Sequence, residues 1–297
     1  MERYKLACQV LPIALRKIAL GLTPREMVVA EELRLRVGQP LGILLPNEER
    51  RVFSKIQQVD LENLCNQATD FSRYGAVETL RQGYVSVEGG FRIGFCGTGV
   101  IKAGEICNVK DFSSAVIRIA RERKGIADNI CPQLVDNGRV VSTLIVSPPA
   151  GGKTTLLRDM VRQFSNGISE IQPQRITLVD ARGEVAAVHF GVPQLDVGRH
   201  TDVLDGYPKE QGMMIGVRTM NPQILAVDEI TNPLDLEAMV QGAYCGVSLF
   251  ATVHGTTMAE LAHKPLYRGV LESGIFQRVV TISCGNSGRI YKVEVMA

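Results

Sequence analysis

The sequence predicts an α/β protein in which a smaller N-terminal α+β domain precedes a larger domain built on a mostly parallel sheet. From about residue 125, apolar strand-like runs alternate with helical segments, a pattern typical of a parallel sheet covered by helices. The charge divides at the same place: residues 1–124 hold 19 Lys and Arg against 14 Asp and Glu, whereas residues 125–297 hold 14 against 17. We therefore expect two domains, residues 1–124 and 125–297.

The N-terminal half alternates between predicted helices and strands. Residues 1–22 have apolar positions at helical spacing and predict an amphipathic helix, packed on its own domain or else on a membrane surface or a partner helix. ELRLRVGQPLGILLP predicts two strands around a Gly-Gln-Pro turn, residues 59–72 a helix, and SSAVIRIA a further strand. GYVSVEGGFRIGFCGTGVI predicts a hairpin around Gly89 and Gly90, and RERKG marks the linker.

The C-terminal half contains four candidate parallel strands: VVSTLIVS, RITLVDA, QILAVDEI and VSLFATVH. RVVTISC and RIYKVEVMA flank residues 285–288 and predict a closing hairpin. The seven cysteines are scattered and never spaced as Cys-x-x-Cys, which argues against a disulfide framework or zinc cluster and favours a cytoplasmic protein. No apolar run reaches the roughly 18 residues of a transmembrane segment, and the N-terminus lacks a signal-peptide cleavage site.

The segment SPPAGGKTT nearly matches the phosphate-binding loop G-x-x-x-x-G-K-[ST] and stands between a predicted strand and a predicted helix. Glycines let successive backbone N–H groups converge on phosphate oxygens, and the helix N-terminus adds positive potential. Lys153 is expected to neutralise the β- and γ-phosphates of the nucleotide, and Thr154 to ligate Mg²⁺. The segment predicts a RecA-like P-loop ATPase core. Its expected nucleotide-binding loop comprises Ser147, Pro148, Pro149, Ala150, Gly151, Gly152, Lys153, Thr154 and Thr155.

The apolar strand QILAVDEI ends in Asp228 and Glu229. Core strands rarely end in two acids without a cation or chemistry to serve. In a phosphate-loop enzyme the first acid holds Mg²⁺ and the second polarises the attacking water, so Asp228 is the candidate metal residue and Glu229 the candidate catalytic base. The alternative is that both acids cap the helix that starts in TNPLDL. ATP is expected rather than GTP, because the sequence has no NKxD-like guanine reader.

Polar residues also follow two other predicted strands. RITLVDARGE places Asp180, Arg182 and Glu184 after one strand, and VSLFATVHG places His254 at the end of another. Ligands of open α/β sheets lie at the carboxyl ends of the strands. We expect His254 to sense the γ-phosphate or to contact Glu229; the alternative is a histidine with only structural partners.

Taken in chain order, these motifs resemble those of the type II and type IV secretion ATPases: Walker A (SPPAGGKTT), the Asp box (DARGE), Walker B (LAVDE) and the His box (ATVHG). Within that superfamily, RLRVGQPL, LRQGYVSVEGGFRIGFCGTGV and DGYPKEQGMMIGVRTMNPQILAVDEI are similar to the stage III sporulation AA family of endospore-forming bacteria, from about residue 30 onward. The resemblance implies a homo-oligomeric, hexameric ATPase. It would act with the membrane components of a channel complex joining mother cell and forespore, peripherally at the inner membrane on the mother-cell side.

The resemblance also implies roles for further residues. Glu184 of the Asp box and His254 of the His box would join Glu229 as catalytic residues. Family members use arginines of the N-terminal domain against the nucleotide, which points to Arg118 and Arg121, with Arg218 from GMMIGVRTM as another candidate. The chain departs from the family pattern at three places: DE where many secretion ATPases have GE, no four-cysteine zinc insert, and a serine at the first glycine of the loop.

The leading prediction is a Mg²⁺-dependent ATPase that energises a membrane-associated export or channel complex during endospore formation, by in-line attack of water on the γ-phosphate. One alternative is a scaffold that binds ATP but hardly hydrolyses it, which Ser147 leaves open and Glu229 argues against. The other is a nucleotide-gated nucleic-acid-binding module. Nucleic acid is not the expected partner, because the sequence has no Trp and only 5% aromatic residues.

Overall fold

The computed structural model of the chain describes residues 1–69, 80, 83–119, 121–169, 171–285 and 288–296. These residues pack as two units, Met1–Arg121 and Glu122–Ala297, each with its own sheet and hydrophobic core.

The first unit combines short helices with an antiparallel sheet. Its helices are α1 (Glu2–Gln9), α2 (Ile13–Ala19), α3 (Pro24–Val29) and α4 (Gln58–Ala68). Its strands are β1 (Glu32–Arg36), β2 (Pro40–Leu45), β3 (Glu48–Lys55), β4 (Tyr84–Val87), β5 (Phe91–Lys102) and β6 (Glu105–Arg118). Among the described residues they form one sheet in the order β3-β2-β1-β6-β5-β4.

The prediction of one helix over residues 1–22 is wrong. The stretch forms α1 and α2, because Pro12 lacks a backbone N–H and disfavours helical geometry in the residue before it. Tyr4 and Leu15 are buried in the core of the first unit. The apolar face of this segment therefore packs on its own unit.

Other predictions for this unit are confirmed. β1 and β2 pair around the Gly-Gln-Pro turn, and β4 and β5 form the hairpin around Gly89 and Gly90, both of which have positive φ. The helix predicted over 59–72 is α4, although residues 70–72 lie outside the described part of the chain. The strand predicted at SSAVIRIA begins earlier, because β5 and β6 form a long hairpin that turns at Ala103 and Gly104.

The second unit alternates strands and helices. Its strands are β7 (Val135–Asp136), β8 (Arg139–Val140), β9 (Thr143–Ser147), β10 (Ile176–Asp180), β11 (Val188–His189), β12 (Val192–Pro193), β13 (Thr201–Asp205), β14 (Ile224–Val227), β15 (Ser248–His254), β16 (Arg278–Gly285) and β17 (Gly288–Val295). Its α-helices within the described residues are α5 (Lys153–Asn166), α6 (Lys209–Thr219), α7 (Pro233–Tyr244), α8 (Met258–His263) and α9 (Pro265–Glu272). The short pairs β7–β8 and β11–β12 are separate from the main sheet.

In the part of the chain that the structure describes, the main sheet has the order β13-β10-β14-β15-β9-β16-β17. All its pairs are parallel except β16–β17, the predicted closing hairpin, whose residues Asn286 and Ser287 lie outside the described residues. Every residue of β9, β10 and β14 is buried, as expected of strands covered on both faces. The four predicted parallel strands are thus confirmed, and their carboxyl ends meet at one edge of the sheet.

None of the helices in the described ranges is both long enough and apolar enough to cross a membrane.

Candidate active site

The predicted phosphate loop connects β9 to α5 at the carboxyl edge of the sheet. Gly152 caps α5 with φ +102°, and Ala150 before it has φ +59°, so the backbone bends through the left-handed region twice. A Cβ atom at Gly151 would lie 1.7 Å from the buried Ser147 Oγ. The tight bend therefore requires glycine at 151 for space and favours it at 152 for conformation.

The other loop residues have less restrictive surroundings. The Pro148 carbonyl accepts a hydrogen bond from the Gly151 N–H at 3.1 Å, whereas Pro149 is exposed. Thr155 is half-buried in the first turn of α5.

Lys153 is a buried cation, with 6% of its surface exposed. Its Nζ lies 2.8 Å from His254 Nδ1 and 3.3 Å from the Ser147 carbonyl oxygen. Burial lowers the pKa of Lys153, and the negative charges of Asp228 and Glu229 oppose that shift. A buried ammonium with neutral partners on its own loop is suited to attract a phosphate.

Asp228 lies between two hydroxyl groups. Thr154 Oγ1 donates to its Oδ2 at 2.7 Å, and Thr252 Oγ1 donates to its Oδ1 at 2.7 Å. Thr154 is in the first turn of α5, whereas Thr252 is on β15, so the carboxylate joins the phosphate loop to the neighbouring strand. Hydroxyl and carboxylate oxygens are hard ligands of the kind that Mg²⁺ binds, usually together with substrate phosphates.

Glu229 has left-handed backbone geometry, with φ +58°. Its N–H donates to Thr252 Oγ1 at 2.8 Å. Its carboxylate is held from two sides: Oε1 lies 3.2 Å from His254 Nε2, and Oε2 accepts from Arg182 Nη1 at 3.1 Å. Lys153, His254, Glu229 and Arg182 therefore form one continuous chain of polar contacts, and the expected contact between His254 and Glu229 is present.

The Asp180 side chain forms its hydrogen bonds with the backbone of the loop that follows it. Its carboxylate is buried and accepts the backbone N–H groups of Glu184, Val185 and Ala186 at 2.8–3.0 Å. Burial raises the pKa of Asp180, while these hydrogen bonds lower it. The Glu184 side chain is exposed, and its carbonyl oxygen accepts from Arg158 at 2.8 Å. Asp180 thus shapes the loop that carries Arg182 toward Glu229.

Two of the candidate arginines belong to the first unit and one to the second. Arg118 lies at the end of β6 in the first unit, 3.7 Å from Glu32, and Arg121 donates to the Ala30 carbonyl. Arg218 is exposed in the last turn of α6. The first turn of α6 contacts the Glu229 backbone, and the helix is about 16 Å long, so its last turn lies toward the opposite edge of the sheet.

The structure also adds two residues that sequence reasoning missed. Lys209, at the start of α6, donates to the Glu229 carbonyl and to Thr231 Oγ1 at 2.7 Å. Arg289, on β17, lies against the phosphate loop and donates to the Ala150 carbonyl at 3.4 Å. Neither belongs to a motif with characteristic spacing. The available signal for Lys209 was its place in DGYPKEQGMMIGVRTMNPQILAVDEI, a segment that carries part of the family resemblance.

Comparison with known proteins gives three results. A family model described as sporulation stage III, protein AA matches residues 1–294. Stage III sporulation protein AA of Bacillus subtilis (strain 168) is 32% identical over 275 residues, which cover 93% of this chain and 89% of that protein. Two solved structures of ATPases or motors are also similar in fold.

The ATPase DotB of Legionella pneumophila matches with a TM-score of 0.58 at 13% identity, over 92% of this chain and 78% of that chain. The pilus retraction motor PilT, solved with bound ADP, matches with a TM-score of 0.62 at 16% identity, over 92% and 81%. The mixed α/β fold with a mostly parallel sheet is thus confirmed. The full-length family match and the Bacillus relative lead to one conclusion: the chain belongs to the sporulation stage III protein AA family.

Proposed function

We propose that this chain is a Mg²⁺-dependent ATPase that energises a membrane-associated export or channel complex during endospore formation. Membership of the sporulation family supports the biological setting. The observation that carries the chemistry is the gathering of Lys153, Thr154, Asp228, Glu229 and His254 around the phosphate loop at one sheet edge.

Nucleotide binding is assigned to the loop and Lys153. Backbone N–H groups at the start of α5 supply donors for phosphate oxygens, and Lys153 exchanges its carbonyl and imidazole partners for the β- and γ-phosphates. Thr154 and Asp228 would hold Mg²⁺, which when bound neutralises phosphate charge. The proposal is supported by the hydrogen bond between them: Thr154 Oγ1 and Asp228 Oδ2, the two candidate metal ligands, lie 2.7 Å apart.

Hydrolysis is assigned to Glu229 as general base. Its carboxylate accepts the proton of the water that attacks the γ-phosphate in line, while Arg182 and His254 fix the orientation of that carboxylate. Stabilising charge at the γ-phosphate would come from arginines, with Arg118 and Arg218 as candidates. Since Arg218 lies away from the site of its own chain, we assign it to the nucleotide of a neighbouring subunit.

The assembly we propose is a homo-oligomer, a hexamer by analogy with secretion ATPases, that works with membrane components of a sporulation channel. It would be cytoplasmic and peripheral at the inner membrane, on the mother-cell side. We also propose a catalytic role for Glu184, on the basis of the family resemblance. Its side chain is exposed, so a nucleotide or a neighbouring subunit can reach it.

The test is Mg·ATP hydrolysis measured against protein concentration, with Lys153→Ala and Glu229→Gln as site variants and Lys264→Ala, an exposed lysine paired with Glu260, as the matched control. We expect a specific activity that rises with concentration, is lost in both site variants and is kept in the control. Tight ATP binding with no turnover would instead indicate a nucleotide-dependent scaffold. Salt-dependent binding of single-stranded nucleic acid would favour the nucleic-acid alternative.

A further inference from the structure

We propose that Lys209 is a positioning residue for Glu229, the candidate general base; this inference rests on the proposed ATPase function and deepens it. Lys209 begins α6 and stands 20 positions before Glu229 in the chain. Its Nζ donates to the Glu229 carbonyl and to Thr231 Oγ1, and forms an ion pair with Asp235 at 3.2 Å. Its side chain is only 15% exposed.

The Glu229 backbone needs such a partner. A glutamate with φ +58° occupies a region that residues with a Cβ atom rarely adopt, and it stays there only when its surroundings hold it. Thr252 fixes the N–H side of Glu229 and Lys209 fixes its carbonyl side. Hydrogen bonds to its N–H and to its carbonyl oxygen therefore hold Glu229 in the left-handed conformation.

Asp235 fixes the lysine in turn. Its carboxylate is buried at the start of α7, where Oδ2 accepts the N–H groups of Thr231 and Asn232 at 3.0 and 3.1 Å as well as the Lys209 ammonium. Its other oxygen, Oδ1, is buried with no hydrogen-bond partner among the described residues. The ammonium is thus the charge that compensates a buried carboxylate, which ties it to one position.

This arrangement separates catalysis from binding. Within the described ranges, Lys209 forms hydrogen bonds and ion pairs with Glu229, Thr231 and Asp235 and with no residue of the phosphate loop. Its loss should therefore leave the nucleotide-binding loop in place. Without it, Glu229 can relax toward right-handed geometry, which carries the carboxylate away from His254 and Arg182. The expected consequence is a fall in kcat without a matching change in nucleotide affinity.

The double variant in this test avoids leaving a buried carboxylate without its cation. Lys209→Met is combined with Asp235→Asn, which keeps an oxygen acceptor for the Thr231 and Asn232 amides, and Asp235→Asn alone is the matched background. Lys209→Arg supplies a conservative cation, and Lys264→Met is a control at an exposed lysine. Measurements are kcat, Kd for a fluorescent ATP analogue, the melting temperature, and the crystal structure of the double variant.

We expect the double variant to lose at least tenfold in kcat relative to Asp235→Asn, with Kd within about threefold, and Lys209→Arg to recover part of the activity. The crystal structure of the double variant should show the Glu229 backbone outside the left-handed region, or the Glu229 carboxylate no longer in contact with His254. An unchanged Glu229 geometry overturns the inference, whether or not the protein hydrolyses ATP. Wild-type protein that binds ATP without turnover would refute the ATPase proposal instead, and the crystal structure would still decide the role of Lys209.

Discussion

Gly151→Ala tests whether the phosphate loop depends on the absence of a side chain at its centre. The new Cβ would lie 1.7 Å from Ser147 Oγ and 3.0 Å from the Pro148 carbonyl oxygen. An ordinary contact between carbon and oxygen is at least about 3.3 Å. The new Cβ and the Ser147 Oγ must therefore separate by more than about 1 Å, through movement of the serine or of the loop. Ser147 is fully buried, which leaves its hydroxyl little room to turn away.

The cost of such overpacking is about 1–3 kcal/mol. Since the strain falls on the loop that would hold the phosphates, we expect it to weaken nucleotide binding by roughly 5- to 150-fold. Ser147→Gly removes the atom that clashes. The double variant Ser147→Gly/Gly151→Ala should therefore recover much of the affinity, with a coupling free energy of about 1–2 kcal/mol between the two sites.

The assay is a fluorescence titration of the full chain with a labelled ADP, for wild type, both single variants and the double variant. Gly99→Ala is the control, because a Cβ atom at Gly99 meets nothing within 4 Å. Wild-type affinity in Gly151→Ala would refute the steric reasoning. So would a loss of affinity of the same size with and without the Ser147 side chain.

Three other side chains, at the carboxyl edge of the main sheet, lead to predictions. Thr252→Val removes a buried hydroxyl that serves Asp228 and Glu229, and we expect a loss of about 2 kcal/mol in urea unfolding; unchanged stability would contradict this. Burial, and then a neighbouring carboxylate, raises the pKa of Asp205 to about 6, so stability that is present below about pH 4 is lost as the pH rises through 6. Asp205→Asn should escape that loss and melt about 2–4 °C above wild type at pH 8 but not at pH 4. The shift is small because Asp205 is exposed, and solvent screening leaves a stability difference of about 1 kcal/mol or less. Equal melting temperatures of the two proteins at pH 8 would disprove this prediction. Arg289→Ala should weaken ADP binding about 3- to 10-fold while Lys292→Ala does not, and equal affinities in both variants would exclude a role for this guanidinium in binding.

The sheet of the second unit could be predicted because its strands are continuous apolar runs. β9, β10 and β14 are buried at every residue, and only β-branched and other apolar side chains with few polar interruptions fit such positions. The strands that sequence reasoning missed are edge strands. β3 reads EERRVFSK and β13 reads TDVLD, and charged residues are what an exposed edge favours.

The candidate site was predictable where one strand end or loop carries several polar residues. Asp228, Glu229 and His254 fall at neighbouring strand ends, so the parallel topology alone brings them together. Lys209 and Arg289 reach the site from a helix start and from the last strand, and nothing in local spacing indicates either contact. Arg218 lies away from the site because α6 runs from the carboxyl edge of the sheet toward the opposite edge. The sequence does not reveal that direction without the strand order.

The imidazole of His254 has its proton on one defined nitrogen. A carboxylate only accepts, so Nε2 beside Glu229 carries the proton and Nδ1 accepts from the Lys153 ammonium. A phosphate that draws Lys153 away removes the donor from Nδ1 and leaves that nitrogen to a new partner. Occupancy of the loop would thereby change the surroundings of the same ring that contacts the Glu229 carboxylate.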